Sequence, residues 1–293
     1  MRIRASLVAA TMSGAAALTA FVVPAAQADD APSAPSAADA VAPLVVGEQK
    51  STFSAADAGD IKITKVTVNG NKDVVVGGTL AKSFNIYVTA TNPEGIEGVQ
   101  AFLWHGTDLT SEDGIDGAII PDQPEDISRD CEYWSETTAT CKVTLTATPG
   151  VDLYKSSLNG KWNVYAGAVG KDLDVAESDV YKNHWVKRAS HFASFNASPE
   201  PVAKGKPITL SGGLSRISWT YLKYYGYAAQ PVQVQFKKAG SSSYTTVKTV
   251  NSSSTGQVKT TITASTDGTW RLYYPGNSAT STATSSADYV DVR

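Results

Sequence analysis

The densest run of chemically active side chains lies between Asp108 and Glu136. Asp108, Glu112, Asp113, Asp116, Asp122, Glu125, Asp126, Asp130, Glu132 and Glu136 share this stretch with a single cation, Arg129, for a local balance of −9. A hard cation such as calcium gathers about six to eight oxygens from carboxylates, carbonyls and water. The run SEDGIDG has the composition to curl around one, with Gly114 and Gly117 permitting tight turns. Asp108, Glu112, Asp113 and Asp116 are the candidate ligands. Asp172 and Asp174, in a second acidic turn, join them if the two loops share one end of the fold. The spacing is not that of an EF-hand, since the acids miss the 1-3-5 pattern and no glutamate closes the loop. Any calcium site here is expected to be weak, on the order of 10⁻⁴–10⁻³ M. The competing reading is a solvated acidic loop that keeps the protein soluble.

A second cluster is aromatic: Trp219, Tyr221, Tyr224, Tyr225 and Tyr227, with Arg216 and Lys223 among them. Exposed rings beside hydrogen-bonding groups suit sugars, and a basic surrounding favours an anionic cell-wall polymer. The competing reading is a long connection that packs on the edge of its own domain. Catalytic chemistry has less support. His105, His184 and His191 stand in no HExxH or other metal-ligand spacing, and no G-x-S-x-G elbow is present. The separation of any glycosidase-like carboxylate pair is invisible in sequence. We therefore expect no catalytic residues and no enzymatic activity, with an enzyme of unassigned class as the third alternative. Nucleic acid is not an expected partner, because no recognised DNA- or RNA-binding motif accompanies the modest basicity.

These residues must be read against their compartment. Arg2 and Arg4, an apolar run from Ala5 to Val23 and the Ala26-Gln27-Ala28 motif form a secretory leader over residues 1–28, expected to be cut before Asp29. Asp29 rather than cysteine follows the cut, and no later run reaches membrane-spanning length. We expect a secreted, extracellular product whose mature chain does not insert in a membrane. There Cys131 and Cys141, the only cysteines, read as a disulfide. Closing that short loop is worth about 2.5–3 kcal/mol in the chain-entropy model.

Residues 29–54 are rich in Ala, Pro and Ser and read as a flexible linker, with a slight signal for an edge strand at Leu44-Val45-Val46. Beyond them the hydrophobic pattern has the period of strands. Ile61, Ile63, Val66 and Val68, then Phe84, Ile86 and Val88, then Val99 to Trp104, Val143 to Ala147, and Trp162 to Ala168 are bounded by NG, GG, PEG and PG turns. One brief helical turn is expected within Val151 to Gly160. A second series runs through Phe195, Ile208, Val232 to Phe236, Val247 to Val250, Val258 to Ile262, Trp270 to Tyr274 and Tyr289 to Val292. The spacing predicts an all-β chain of two tandem antiparallel sandwiches with immunoglobulin-like topology, over residues 55–192 and 193–293.

The two halves differ in charge. Residues 51–190 carry 20 acidic and 12 basic side chains, net −8, and residues 191–293 carry 4 and 10, net +6. Such asymmetry points either to different partners or to electrostatic docking of one domain on the other.

The segments FNASPEPVAKGKPITLSGGL, PVQVQFKKAGSSSYTTVKTV and STGQVKTTITASTDGTWRLYYPG resemble the C-terminal immunoglobulin-like domain of secreted actinobacterial proteins. ITKVTVNG, GVQAFLWHG and DLYKSSLNGKWNVYAGAVGKDLD, with the cysteine pair, resemble the uncharacterised β domain that precedes it. The resemblance implies the two-domain architecture. Some such proteins are called calcium-binding, but no established activity comes with the family. The expectation is a secreted, non-enzymatic binding or surface-interaction protein, calcium being the one cofactor considered. Its partner would be another extracellular protein or an anionic wall polymer, and a carbohydrate-binding module using the aromatic cluster is the alternative.

Overall fold

A computed structural model describes residues 60–122 and 126–293, with the side chain of Glu112 excepted. The leader, the linker with its Leu44–Val46 signal, residues 55–59 and Glu125 lie outside the described residues.

Nine strands build the first sandwich: β1 (Lys62–Val68), β2 (Val74–Val76), β3 (Lys82–Thr91), β4 (Ile96–Gly106), β5 (Ile115–Ile119), β6 (Cys131–Tyr133), β7 (Thr138–Ala147), β8 (Gly160–Gly170) and β9 (Val175–Arg188). They form one sheet of order β1-β3-β7-β6 and another of order β2-β9-β8-β4-β5. All pairs are antiparallel except β2 with β9. Alternation sets the inward faces: Phe84, Ile86, Val88 and Ala90 on β3 and Ala139, Cys141, Val143, Leu145 and Ala147 on β7 are all buried. Trp162, Val164, Ala166 and Ala168 do the same from β8 in the facing sheet. β4 is buried on both faces, because Phe102 stacks on Tyr165 at 4.5 Å and the Trp104 indole N–H donates to the Asp179 carbonyl at 2.7 Å. That double burial explains its nearly continuous apolar run. The expected helical turn is a single 3-10 turn, Ser156–Leu158.

The second sandwich comprises β10 (Ser190–Ser198), β11 (Pro207–Ser218), β12 (Lys223–Gly226), β13 (Pro231–Lys238), β14 (Thr245–Asn251), β15 (Gln257–Thr263), β16 (Gly268–Tyr274), β17 (Ala283–Thr284) and β18 (Asp288–Val290). One sheet is centred on β11, with β10 along one edge and β15 followed by β12 along the other. The second has order β14-β13-β16, and β17 and β18 share the far edge of β16. Ile208, Leu210, Leu214, Val232, Val234, Val258, Trp270, Leu272 and Tyr274 fill the space between. The chain is thus all-β, with antiparallel sheets forming immunoglobulin- and fibronectin-III-like sandwiches.

Only Ala189 separates β9 from β10, and the two cores are not independent. Ile217, at the end of β11, and Trp219, just beyond it, belong to the first core although the chain around them belongs to the second sheet. Gly78 gives Ile217 its room, since a Cβ there would collide with the isoleucine δ-carbon. The Trp219 ring is fully buried, and its indole N–H donates to the Val76 carbonyl at 3.2 Å. Its backbone N–H donates to Ser156 Oγ at 3.0 Å, and the Ser156 N–H donates to Thr220 Oγ1 at 3.0 Å. On the other side of the joint, Arg188 N–H donates to Ala279 O and Ser281 N–H to Arg188 O, while Ser190 Oγ donates to Ser281 O at 2.6 Å.

A Trp→Ala truncation at a fully buried site costs about 3–5 kcal/mol. Trp219→Ala is therefore expected to lower the unfolding free energy by that amount in urea titration. Tyr221→Ala, two residues on and exposed, is expected to change it by less than about 0.5 kcal/mol.

Candidate functional site

The acidic loop is built on a 3-10 turn, Glu112–Gly114, between β4 and β5. Its glycine is a steric requirement: a Cβ on Gly114 would strike the Asp108 carbonyl oxygen. Among the described residues the loop's carboxylates form no group of three. Asp108 accepts from the Thr110 N–H at 2.9 Å and from Thr110 Oγ1 at 2.7 Å, bonds that hold its carboxyl below the usual range. Asp113 is exposed. Asp116 turns its two oxygens to cationic or donor groups, His105 Nδ1 at 2.5 Å and Lys155 Nζ at 3.4 Å. The side chain of Glu112 lies outside the described ones.

Asp172 and Asp174 are remote from this loop. In the β4–β8 register Ile96 faces Gly170, whereas Trp104 faces Asn163. The Asp172 turn therefore sits at the start of β4 and the Asp108 loop at its end. At about 3.3 Å per residue the eleven-residue strand holds them roughly 30 Å apart. The condition for the two acidic turns to act together, that they share one end of the fold, is not met. Asp172 instead accepts from Asn92 Nδ2 at 2.8 Å, which pins the β8–β9 turn to the β3–β4 turn. Among the described residues no three His, Cys, Asp or Glu side chains form a metal-binding group.

Cys131 and Cys141 are directly opposed across the β6–β7 hairpin and joined by a disulfide, with the Cys141 side buried in the first core. The three histidines are dispersed. His105 lies against Trp162 as well as Asp116, and His191 meets the Tyr224 ring edge-on at 4.4 Å. His184 is buried, and its Nε2–H donates to the Lys72 carbonyl at 3.0 Å. Burial pushes its pKa below the ordinary value, with the nearby Lys182 adding to the effect. A cleft of about 600 Å³ opens between β4, β7 and residues 121–122 and 126–128, lined by Val99, Phe102, Ile127, Val143, Asp122 and Asp126. Both of its carboxylates are exposed.

The aromatic cluster divides in two. Trp219 and Tyr227 are buried, at 0% and 6% exposure, and do not belong to an outer face. Trp219 fills the end of the first core, as described above. Tyr227 packs its ring edge-on against Tyr274 at 5.7 Å and accepts at its hydroxyl from Asn277 Nδ2 at 2.8 Å. Tyr221, Tyr224 and Tyr225 are 67%, 43% and 51% exposed. They ride the β11–β12 hairpin, which the sequence marked only as a connection, together with Leu222 and Lys223. Tyr221 and Tyr225 meet edge-on at 6.2 Å. Arg216 is paired in register with Tyr225 and lies 4.1 Å above the Tyr227 ring. Sequence reasoning missed Arg188, which follows His184 and Val186 on the buried side of β9; no alternating apolar run marks that strand in the sequence.

No family model matches the chain, and neither does any curated protein. Its structural likenesses are remote. The fibronectin(III)-like modules of CbhA from Clostridium thermocellum are 14% identical, with 78% of this chain and 93% of that chain covered and a TM-score of 0.34. The D00–D0 domain of intimin is 13% identical, with 77% and 99% covered and a TM-score of 0.25. Latent PorU from Porphyromonas gingivalis is 10% identical, with 81% of this chain covered and a TM-score of 0.26; the chain spans a fifth of PorU's length. At these identities and scores they speak to no ligand or activity.

Two outcomes follow from this geometry. A calcium site of 10⁻⁴–10⁻³ M would stabilise the fold by about 1–2 kcal/mol in about 5 mM calcium. With Asp116 and Asp108 already engaged and the second turn roughly 30 Å away, the expected effect is below about 0.3 kcal/mol, read by thermal melting with and without chelator. The second concerns His184. Because its folded pKa is depressed, the unfolded chain takes up the proton first. Stability is full above about pH 6.5 and falls as the pH drops below it, by at most about 1.4 kcal/mol per unit until the folded pKa is reached. Urea titrations between pH 7.5 and 5 are expected to show this slope, and His184→Gln should flatten it.

Proposed function

We propose that the protein is a secreted, non-enzymatic binding protein whose contact face is the β11–β12 hairpin, and that its ligand is a polymer outside the cell. One observation carries this reading. Three tyrosines and a leucine are held exposed on an extension that is itself rooted by a buried tryptophan. Large rings kept at the surface of a rigid element offer contact area at small entropic cost. Fixing them through Trp219, rather than leaving them on a mobile loop, is the arrangement a binding surface needs.

A cell-wall polysaccharide fits best, since the surrounding sandwich is basic and tyrosine pairs an apolar ring with a hydroxyl. The disulfide and the resemblance to secreted actinobacterial proteins support an extracellular setting. A protein partner is the second reading. It draws on Leu80 and Val151, 80% and 64% exposed, which extend the apolar surface onto the first sandwich beside Gly78 and Gly150; Leu222 packs at Gly150.

Retention on insoluble peptidoglycan and on chitin discriminates. We expect retention that weakens as salt rises to about 0.5 M, where the Debye length is only a few ångströms, and that falls about tenfold in the Tyr221→Ala/Tyr225→Ala double variant. Unchanged retention in that variant would reject the hairpin as the contact face.

A further inference from the structure

The most anomalous charge in the molecule lies at the root of this hairpin. Arg188 is 93% buried, counting from its 7% exposure, and its Nε has no hydrogen-bond partner among the described residues. Its backbone is fixed on both sides, by β2 and by the 279–281 segment. Arg216 and Tyr227 act on its guanidinium, and among the described residues no carboxylate does. Burial and the neighbouring Arg216 together bring its pKa down to about 10, so it stays charged at neutral pH. The acids of the second sandwich are committed elsewhere: Asp267 to the Val292 N–H, Asp288 to the Ala197 N–H and Asp291 to Arg293. Glu200 is exposed.

The two cations converge through shared partners: the Arg188 backbone is bridged to Thr280, Thr280 Oγ1 bonds the Tyr274 hydroxyl, Tyr274 packs on Tyr227, and Arg216 lies over Tyr227. Like charges gathered there, one of them buried, are unfavourable unless an anion joins them. Arg216 is the accessible member, half-buried and laid flat on Tyr227. The Tyr227 ring cannot swing away, because Asn277 and Tyr274 hold it. The planar fork of Arg216 is thus oriented in advance, as bidentate recognition of a carboxylate or phosphate requires. Beside it, one strand spacing away, stands the exposed ring of Tyr225, with Tyr221 against its edge.

We infer that Arg188 and Arg216 form an oxyanion site that takes the carboxylate or phosphate of an acidic glycan whose sugar ring lies on Tyr225. The inference rests on the contact face proposed above and adds the substrate class: a charged polysaccharide rather than a neutral one.

Calorimetric titration of the mature chain tests it with three probes: a galacturonate tetramer, its neutral methyl ester, and a phosphate-linked hexose tetramer. At least one charged probe is expected to bind tenfold or more tighter than the ester, and which one identifies the source of the oxyanion. Arg188→Met and Arg216→Gln should each erase that preference. Arg188→Met should melt no lower than the parent, since it exchanges an unpaired buried cation for an apolar chain of similar length. Arg216→Gln, at a half-exposed position, keeps the test open should the buried variant misfold. Equal binding of charged and neutral probes overturns the inference, as does a preference that survives in both arginine variants. If Tyr225→Ala weakens all three probes while the arginine variants do nothing, the contact face stands and the oxyanion site falls. If the arginine variants abolish binding and Tyr225→Ala does not alter it, both the glycan assignment and the contact face fall. Tighter binding of tetraglutamate than of either charged glycan likewise overturns the glycan assignment and points to a protein partner.

Discussion

The burial of Trp219 in a core to which its own strand does not belong is the constraint on which the rest of the molecule depends. β11 runs the length of the second sandwich and then overshoots it, carrying Ile217 and Trp219 to the open end of the first. The indole closes that end and spends its one donor on the Val76 carbonyl, so neither partner is left unsatisfied. The same anchor fixes the turn that follows it. Since Thr220 Oγ1 is bonded back to the Ser156 N–H, the hairpin leaves the surface at a set angle. Domain coupling and presentation of the tyrosines are therefore one structural event.

Much of the fold was legible because strand periodicity depends on nearest neighbours along the chain. Phe84, Ile86 and Val88 announce a half-buried strand without reference to any other residue, and so do Trp270, Leu272 and Tyr274. The disulfide pair was legible for a similar reason, both cysteines lying within one hairpin. What sequence could not show is what a long-range pairing decides. WTYLKYYGY contains an inward tryptophan, three outward tyrosines and an inward tyrosine, all of similar hydropathy. Their division follows from the register of β12 on β11 and from the position of a core some 140 residues upstream. Arg188 was equally hidden: that no acid among the described residues pairs with it is a property of the fold and not of the residue.

The acidic stretch carries the same lesson in reverse. A local charge of −9 over Asp108–Glu136 and the acidic Asp172 turn look like companions in one dimension, yet β4 places the two acidic turns at opposite ends of a sheet. The carboxylates within the first loop then find separate local donors, a threonine for Asp108 and a histidine and a lysine for Asp116. Calcium coordination needs convergence, and charge density along a chain does not supply it.

The charge division between the halves takes on a different meaning once the joint is described. Docking by electrostatics would require ion pairs across it. Among the described residues every ion pair lies within one half: Lys142, Lys155, Lys187 and Arg129 pair inside the first, and Arg293 inside the second. The joint is made instead from Ile217, Trp219, backbone ladders and the hydroxyls of Ser156, Thr220, Ser190 and Ser281. The ionic groups nearest to it, Arg188 and Arg216, are of like sign and oppose association where they stand. Apolar closure and hydrogen bonding hold the halves together, so the +6 of the second sandwich is not consumed in docking. Of its cations, Lys223 lies on the hairpin itself and Arg216 in register with Tyr225, so part of that charge stands beside the exposed tyrosines.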